Sequence, residues 1–310
     1  MKKWIAVLLV LALLLPCAFA RAEYYEFGMA EVLDRLGEDI YTAAYEALLE
    51  GRVLEKGVTG TEAEALQRML MAFGEEVSTD GKAGSGTFKV LNKVQKRYGM
   101  KQTEVVDAEA FSELLCALLV YQQGEDAGDA VLEAGFNGNE YLYCLASREY
   151  SDGHYFRAKN HFLKSGWADW EKRAEKCVRD WPEDSCVWNS NSCGSGSFLK
   201  IRVKNSRSEV AHCYKVYNSS DKLVAVLFIG GNGKAETGLE PGTYTIKEGE
   251  GYEWYGRKDA FGSEGWYCTI AFDGETTLRF TSGNCCEITS GSVGGSGSGI
   301  SSLYEDYDNF

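Results

Sequence analysis

Apolar and polar residues repeat with two different periods along this chain, and the change of period divides it. From residue 27 to 56 the spacing of Met29, Val32, Leu33, Leu36, Ile40, Tyr41, Ala44, Tyr45 and Leu48 is helical, predicting one N-terminal helix punctuated at Gly51. Thr61-Glu62-Ala63-Glu64 has the form of a capping box ahead of Leu66, Met69, Leu70 and Phe73, and Gly74 closes that helix. A turn-rich stretch from Ser78 to Gly86 leads to Thr87. The next helix carries Val90, Leu91, Val94 and Tyr98 inward and stops at Gly99. Asp107 is placed to cap a third helix, 108–121, with Phe111, Leu114, Leu115 and Leu118 on one face. Residues 57–120 thus read as a small helical bundle.

Residues 121–138 are polar, acidic and Gly-containing and read as a linker. A second helical pattern fills 139–183: Tyr141, Leu142, Leu145 and Ala146, a turn at Asp152-Gly153, then Tyr155, Ala158 and Phe162, and a further helix from Trp170 to Asp180 ahead of Pro182. After a Ser/Asn/Gly-rich linker at 184–197 the period becomes two. Phe198–Val203, Cys213–Tyr217, Leu223–Ile229, Thr243–Lys247, Tyr267–Phe272 and Thr277–Phe280 read as short strands between turns, which predicts an antiparallel β-sandwich over 198–288. In the tail, 289–310, a Gly/Ser linker precedes the acidic, aromatic segment Tyr304–Phe310, expected as a frayed end or a partner-docking segment. The fold class expected is multidomain α+β: a helical bundle, a helical hairpin and a β-sandwich.

Composition narrows the chemistry. The chain has 310 residues, 45% hydrophobic and 25% charged, which suits folded domains, and its net charge of −14 leaves no cation excess for nucleic acid or an anionic membrane. Met1-Lys2-Lys3, the apolar run Trp4–Leu15 and Ala18-Phe19-Ala20 together read as an export signal cleaved after Ala20. That run is too short for a membrane span and no second one follows, so no stable span is expected. Nine cysteines remain after residue 20: an odd number, in a compartment that permits disulfides. Cys186 and Cys193 could close a short loop, Cys116 reads as a buried free thiol, and adjacent Cys285-Cys286 reads as two half-cystines with different partners.

The order Ala65-Leu66-Gln67, Leu70, Gly74, Asp80-Gly81, Gly84, Thr87, Leu91, Gln95, Gly99-Met100, Val106-Asp107 and Leu114 resembles the peptidoglycan-binding-like domain family over residues 57–120. Against that family's pattern, Ala83 and Val94 stand where Phe is usual, Val90 where Ala is usual and Ala110 where Thr is usual. The resemblance implies a helical fold and peptidoglycan as partner, with Asp80, Gly81, Gly84, Thr87, Gln95 and Tyr98 as candidate binding residues. Read physically, Asp80-Gly81 makes a tight turn, Gly84 and Gly86 allow close backbone approach, and the helix starting near Thr87 offers unpaired N–H groups to a stem-peptide carboxylate. Gln95 and Tyr98, three residues apart, share a helix face. Two readings stand for these residues: they contact the ligand, or they only build the turn.

Two weaker resemblances cover the rest. Ala146, Gly153, Ala158 and Phe162 are spaced as in a tetratricopeptide repeat over 139–165. One such hairpin cannot bury its own apolar face, so it packs on a neighbour or offers a groove to a protein partner. Leu239–Glu248, with Pro241-Gly242 and Tyr244, resembles the strand of transthyretin-like and collagen-adhesin B-type modules, which implies an inward Tyr244. Some such modules form a Lys–Asn isopeptide bond; Lys200, Asn284 and Glu248 are nominally available, but Lys200 alternates outward. The aromatic run Trp254-Tyr255, Phe261 and Trp266-Tyr267 is either a core corner or an exposed patch for sugar or protein.

No HExxH, GxSxG, P-loop or dinucleotide turn occurs. Of the three histidines, His154 and His161 read as turn and surface residues, and His212 points away from adjacent Cys213 on a strand. No catalytic residue, metal or cofactor is expected. The sequence therefore points to a secreted, non-enzymatic, wall-associated bacterial protein that binds peptidoglycan. The alternatives are an extracellular scaffold whose wall-binding fold no longer binds, and an enzyme with an unrecognised site in the β region.

Overall fold

A computed structural model describes residues 28–190, 197–283, 285–291 and 300–310. The expected export signal, Cys193, Asn284 and residues 292–299 of the Gly/Ser stretch lie outside the described residues. The chain divides into two compact units, one holding residues up to 152 together with 158–175, the other residues 153–157 together with 176–310.

The first unit is helical. Residues 28–36 form α1 and Asp39–Leu49 form α2. The single helix expected at 27–56 is therefore two, because Gly37 takes a left-handed φ of 70° between them. Leu54–Glu55 (β1) pairs antiparallel with Val105–Val106 (β2), bracketing α3 (Thr61–Ala72) and α4 (Ser85–Arg97). The capping box at Thr61 is not formed. Gly60 occupies the cap position without a side-chain hydrogen bond, and Thr61 is already inside the helix. Asp107 does cap α5 (Ala108–Gln123): its Oδ1 accepts from the Ala110 N–H at 2.9 Å, which stabilises such a helix by about 1 kcal/mol.

Helix α5 is buried on nearly every side, through Phe111, Leu114, Leu115, Cys116, Leu118, Leu119 and Val120. A helix apolar all round belongs at the centre, and the others pack about it in one continuous core that runs from Met29 to Leu145. That core takes in Ala127, Ala130, Val131, Ala134 and Phe136. The expected linker at 121–138 is instead the end of α5, a short turn of helix and α6 (Gly128–Glu133). Helices α7 (Gly138–Asp152) and α8 (Tyr155–Ser165) follow, with Tyr143 and Phe162 edge to face at 5.2 Å between ring centroids. Helix α9 runs from Trp170 to Cys177, stopping short of Asp180.

The second unit is built of strands. Within the expected linker at 184–197, Ser185–Asn189 forms β3, paired with β6 (Leu223–Gly230). Strands β4 (Ser197–Lys204), β5 (Ala211–Asn218), β7 (Gly233–Leu239), β8 (Gly242–Gly251), β9 (Trp266–Phe272), β10 (Thr277–Phe280), β11 (Cys285–Gly291) and β12 (Ile300–Glu305) complete two sheets. A seven-stranded sheet has the order β12-β9-β8-β5-β6-β3, with β10 also on β8, and a three-stranded sheet has the order β11-β4-β7. Pairing is antiparallel except between β11 and β4, which run parallel, a departure from the all-antiparallel expectation. Leu199, Ile201 and Ile288 of the small sheet share a buried cluster with Tyr214, Val216, Leu227, Ile246 and Ile270 of the large one.

The large sheet is covered on its other face too. Cys213, Phe228, Trp254, Phe261, Tyr267 and Phe310 form a second cluster there. This resolves the aromatic run as a core corner, with Trp266 and Tyr252 left exposed. It also corrects the expectation of a frayed tail. Phe310 is buried, its ring 4.4 Å from that of Tyr267, and its main-chain oxygen accepts from Tyr217 Oη at 2.6 Å. Lys200 faces outward on β4, as its alternation predicted, and stands 3.8 Å from Glu287.

Candidate functional site

The candidate residues gather around the corner between α3 and α4. Its organiser is Gln67, which α3 places with 1% of its surface exposed. Gln67 Nε2 donates to Asp80 Oδ1 at 3.0 Å, to the Lys82 carbonyl at 3.0 Å and to Thr87 Oγ1 at 3.3 Å, while its Oε1 accepts from the Gly81 N–H at 2.9 Å. Asp80 Oδ1 also accepts from the Lys82 N–H at 3.0 Å. The hydrogen bond from Gln67, then that from Lys82 N–H, hold the Asp80 carboxyl below its ordinary pKa. Gly81 has φ +66°, the left-handed conformation the turn requires.

This corner walls an open groove of about 960 Å³. Its far side is the start of α4, where Gly84 stands at the cap position with no side-chain hydrogen bond. The first-turn N–H groups of any helix lack intrahelical acceptors, and Gly84 supplies no side chain to accept from them, so the groove meets the positive end of the α4 dipole. Gly84 and Gly86 do not serve close packing, as had been expected. A Cβ on Gly84 would meet only the Lys82 carbonyl at 4.0 Å, and one on Gly86 would meet nothing within 4 Å. Their effect is to leave the helix start bare. Lys82 and Lys89 are exposed along the groove.

At the other end Glu75, 8% exposed, bridges Lys93 and Arg97. Burial alone would raise its carboxyl pKa, but the hydrogen bond from Lys93 and the two positive charges outweigh burial and hold it below the ordinary value.

The six sequence candidates separate cleanly. Asp80, Gly84 and Thr87 line the groove, with Gly81 in the turn behind. Thr87 is 5% exposed and its hydroxyl is turned to Gln67. Gln95 and Tyr98 are 1% and 0% exposed and do not reach the groove. Gln95 Oε1 accepts from the Thr103 N–H at 3.2 Å, and Tyr98 packs on Phe73 at 5.2 Å between centroids. Sequence reasoning quoted Gln67 only as part of a pattern. Its role follows from contacts 13 to 20 residues away, which no local signal encodes.

Residues 59–114 match the family model described as a putative peptidoglycan binding domain. The matched segment contains α3, the Asp80-Gly81 corner, α4 and the start of α5, hence the whole groove wall. Peptidoglycan is the partner this domain supports. No curated protein matches the chain. Among the described residues no helix is long and apolar enough to cross a membrane.

The cysteines and histidines fall elsewhere. Cys116 is buried and free, and burial raises its thiol pKa. Cys285 and Cys286, expected as half-cystines, carry free thiols. Cys186 is likewise free, and its suggested partner Cys193 lies outside the described residues. His154 follows the Asp152-Gly153 turn, as expected, and His161 lies partly exposed within α8; His161 Nδ1 is 2.7 Å from Glu149 Oε2 and His154 Nδ1 is 3.1 Å from Asp259 Oδ1, so both histidines also face carboxylates. His212 and Cys213 point to opposite faces of β5, as alternation predicts. Cys213 enters the aromatic cluster and His212 faces Glu248 and Glu250.

Proposed function

We propose that this is a secreted, non-enzymatic, wall-associated protein that binds peptidoglycan in the groove between the Asp80-Gly81 corner and the start of α4. One observation carries the reading: the segment matching the peptidoglycan-binding family contains an open groove that ends on an uncapped helix N-terminus. Stem peptides of peptidoglycan carry carboxylates, and a bare helix start flanked by Lys82 and Lys89 is suited to hold one. In this account Asp80, Gly81, Gln67 and Thr87 hold the corner in shape, while the N–H groups after Gly84 and the lysines meet the ligand. Gln95 and Tyr98 act through the core. We further read the two sheets sharing one core as a β-sandwich, and α7–α8 as a tetratricopeptide-like hairpin, serving as scaffold.

The test is retention of the full chain on purified sacculi, compared with Gly86→Glu. The position has open space, so the variant should fold, and its carboxylate should occupy the helix start. Retention of the parent and at least tenfold weaker retention of Gly86→Glu is the expected result. A parent chain that is not retained would favour the alternative, an extracellular scaffold that keeps the fold without wall affinity.

A further inference from the structure

A second polar site lies in the strand unit. His212 on β5 is 0% exposed, and across the strand pairs it faces Glu248 and Glu250 on β8, whose i, i+2 spacing puts both on one face of the sheet. Glu248 is 6% exposed, and the Glu250 side chain, 19% exposed, forms the rim. The donor atoms of the three residues all lie within 4.8 Å of one another.

The hydrogen bonds around the ring fix its orientation. His212 Nε2 is 2.8 Å from Ser206 Oγ, which donates onward to the Arg207 carbonyl at 3.4 Å. Nε2 is thus engaged with the Ser206 hydroxyl, which leaves Nδ1 as the ring nitrogen turned toward the carboxylates. Nδ1 stands 3.4 Å from Glu248 Oε1 and 3.3 Å from Glu250 Oε1, yet it is buried without a hydrogen-bond partner. Three ligand atoms thus converge in a buried place with two carboxylates facing Nδ1, an arrangement suited to a cation at its centre. Ligands about 2.0–2.1 Å from a tetrahedral zinc stand roughly 3.3 Å apart, close to the 3.4 and 3.3 Å between Nδ1 and the two carboxylates. Outer support is also present: Ser206 holds the imidazole, and Tyr214 Oη donates to Glu248 Oε1 at 2.5 Å.

The other acid–histidine group, Glu125, Glu149 and His161, differs on the decisive point. There Nδ1 is hydrogen-bonded to Glu149, and Glu125 is exposed.

We infer that His212, Glu248 and Glu250 form a binding site for a divalent cation of the zinc class, with a fourth coordination position open to water or another ligand. In the absence of metal a proton takes the ion's place. Burial lowers the His212 pKa, but the two carboxylates more than offset it, to about 9, so proton and metal compete for Nδ1.

The experiment titrates the full chain, first stripped with a chelator, with zinc chloride by calorimetry, and repeats the titration with cobalt chloride by visible absorption. One saturable zinc per chain, a raised thermal midpoint and the absorption of low-coordinate cobalt are expected. Glu250→Gln, chosen at the rim so that the fold survives, should keep the parent circular dichroism and bind zinc at least tenfold more weakly. Glu149→Gln should bind like the parent. Absence of saturable binding would overturn the proposal, as would parent-like affinity in Glu250→Gln or loss of binding in Glu149→Gln.

Discussion

Gln67 shows how one buried side chain can hold a turn in shape. Itself buried, it ties two main-chain groups and two side chains of the turn together, the buried Thr87 hydroxyl among them. Leaving buried polar groups unmade costs about 1–3 kcal/mol each. Gln67→Ala should therefore destabilise the protein by about 2–4 kcal/mol, read from chemical unfolding. Gln67→Glu retains the acceptor for the Gly81 N–H but sets a second charge beside Asp80, and should be no better. Asp80 and Gly81 were visible in the sequence because turn chemistry is local. The role of Gln67 was not, because its partners arrive only when α3 and the turn pack together.

At the scale of elements, helix α5 combines a buried position with a concentration of acid. Burial, then the charges of Glu140, Glu109 and Asp107, push the Glu113 carboxyl up to about 7. Its folded pKa is thus above the usual carboxylate value. Between that value and about pH 7 the native state holds a proton that the unfolded chain has released, so stability falls as pH rises, and the penalty is complete above the folded pKa. Glu113→Gln should stabilise the protein near pH 8 by ~1–2 kcal/mol, discounted for partial solvent screening, and hardly at all near pH 4. Thermal midpoints at the two pH values measure this. The same helix explains why the expected linker at 121–138 proved structural. A helix buried all round needs neighbours on every side, and the small apolar residues Ala127, Ala130 and Val131 supply one of them. Short, acidic and glycine-containing, that stretch has too few periodic positions to read as helix.

For the whole molecule, the groove proposed to bind wall and the proposed cation site are each built within one unit, from residues of that unit alone. The two activities should therefore separate by mutation. Gly86→Glu should lose sacculus retention and bind zinc as the parent does, whereas Glu250→Gln should lose zinc and remain on sacculi. A variant that lost both would show the two sites to be linked. With a net charge of −14, retention on sacculi would rest on a local site rather than on a general attraction to anionic polymers.

Periodicity determined that helices precede strands and where most of them lie, turn chemistry placed the short Asp-Gly corner between two helices, and the order of residues there resembles a peptidoglycan-binding pattern. Those features depend on residues close together in the chain, so they are written in local order. Tertiary structure decided the rest: that Gln95 and Tyr98 are core rather than groove, that Phe310 closes a sheet face, and that His212 meets Glu248 and Glu250. These depend on which distant segments share a face. Sheet register and core packing settle that through the summed burial of many side chains, and no short stretch of sequence contains the sum.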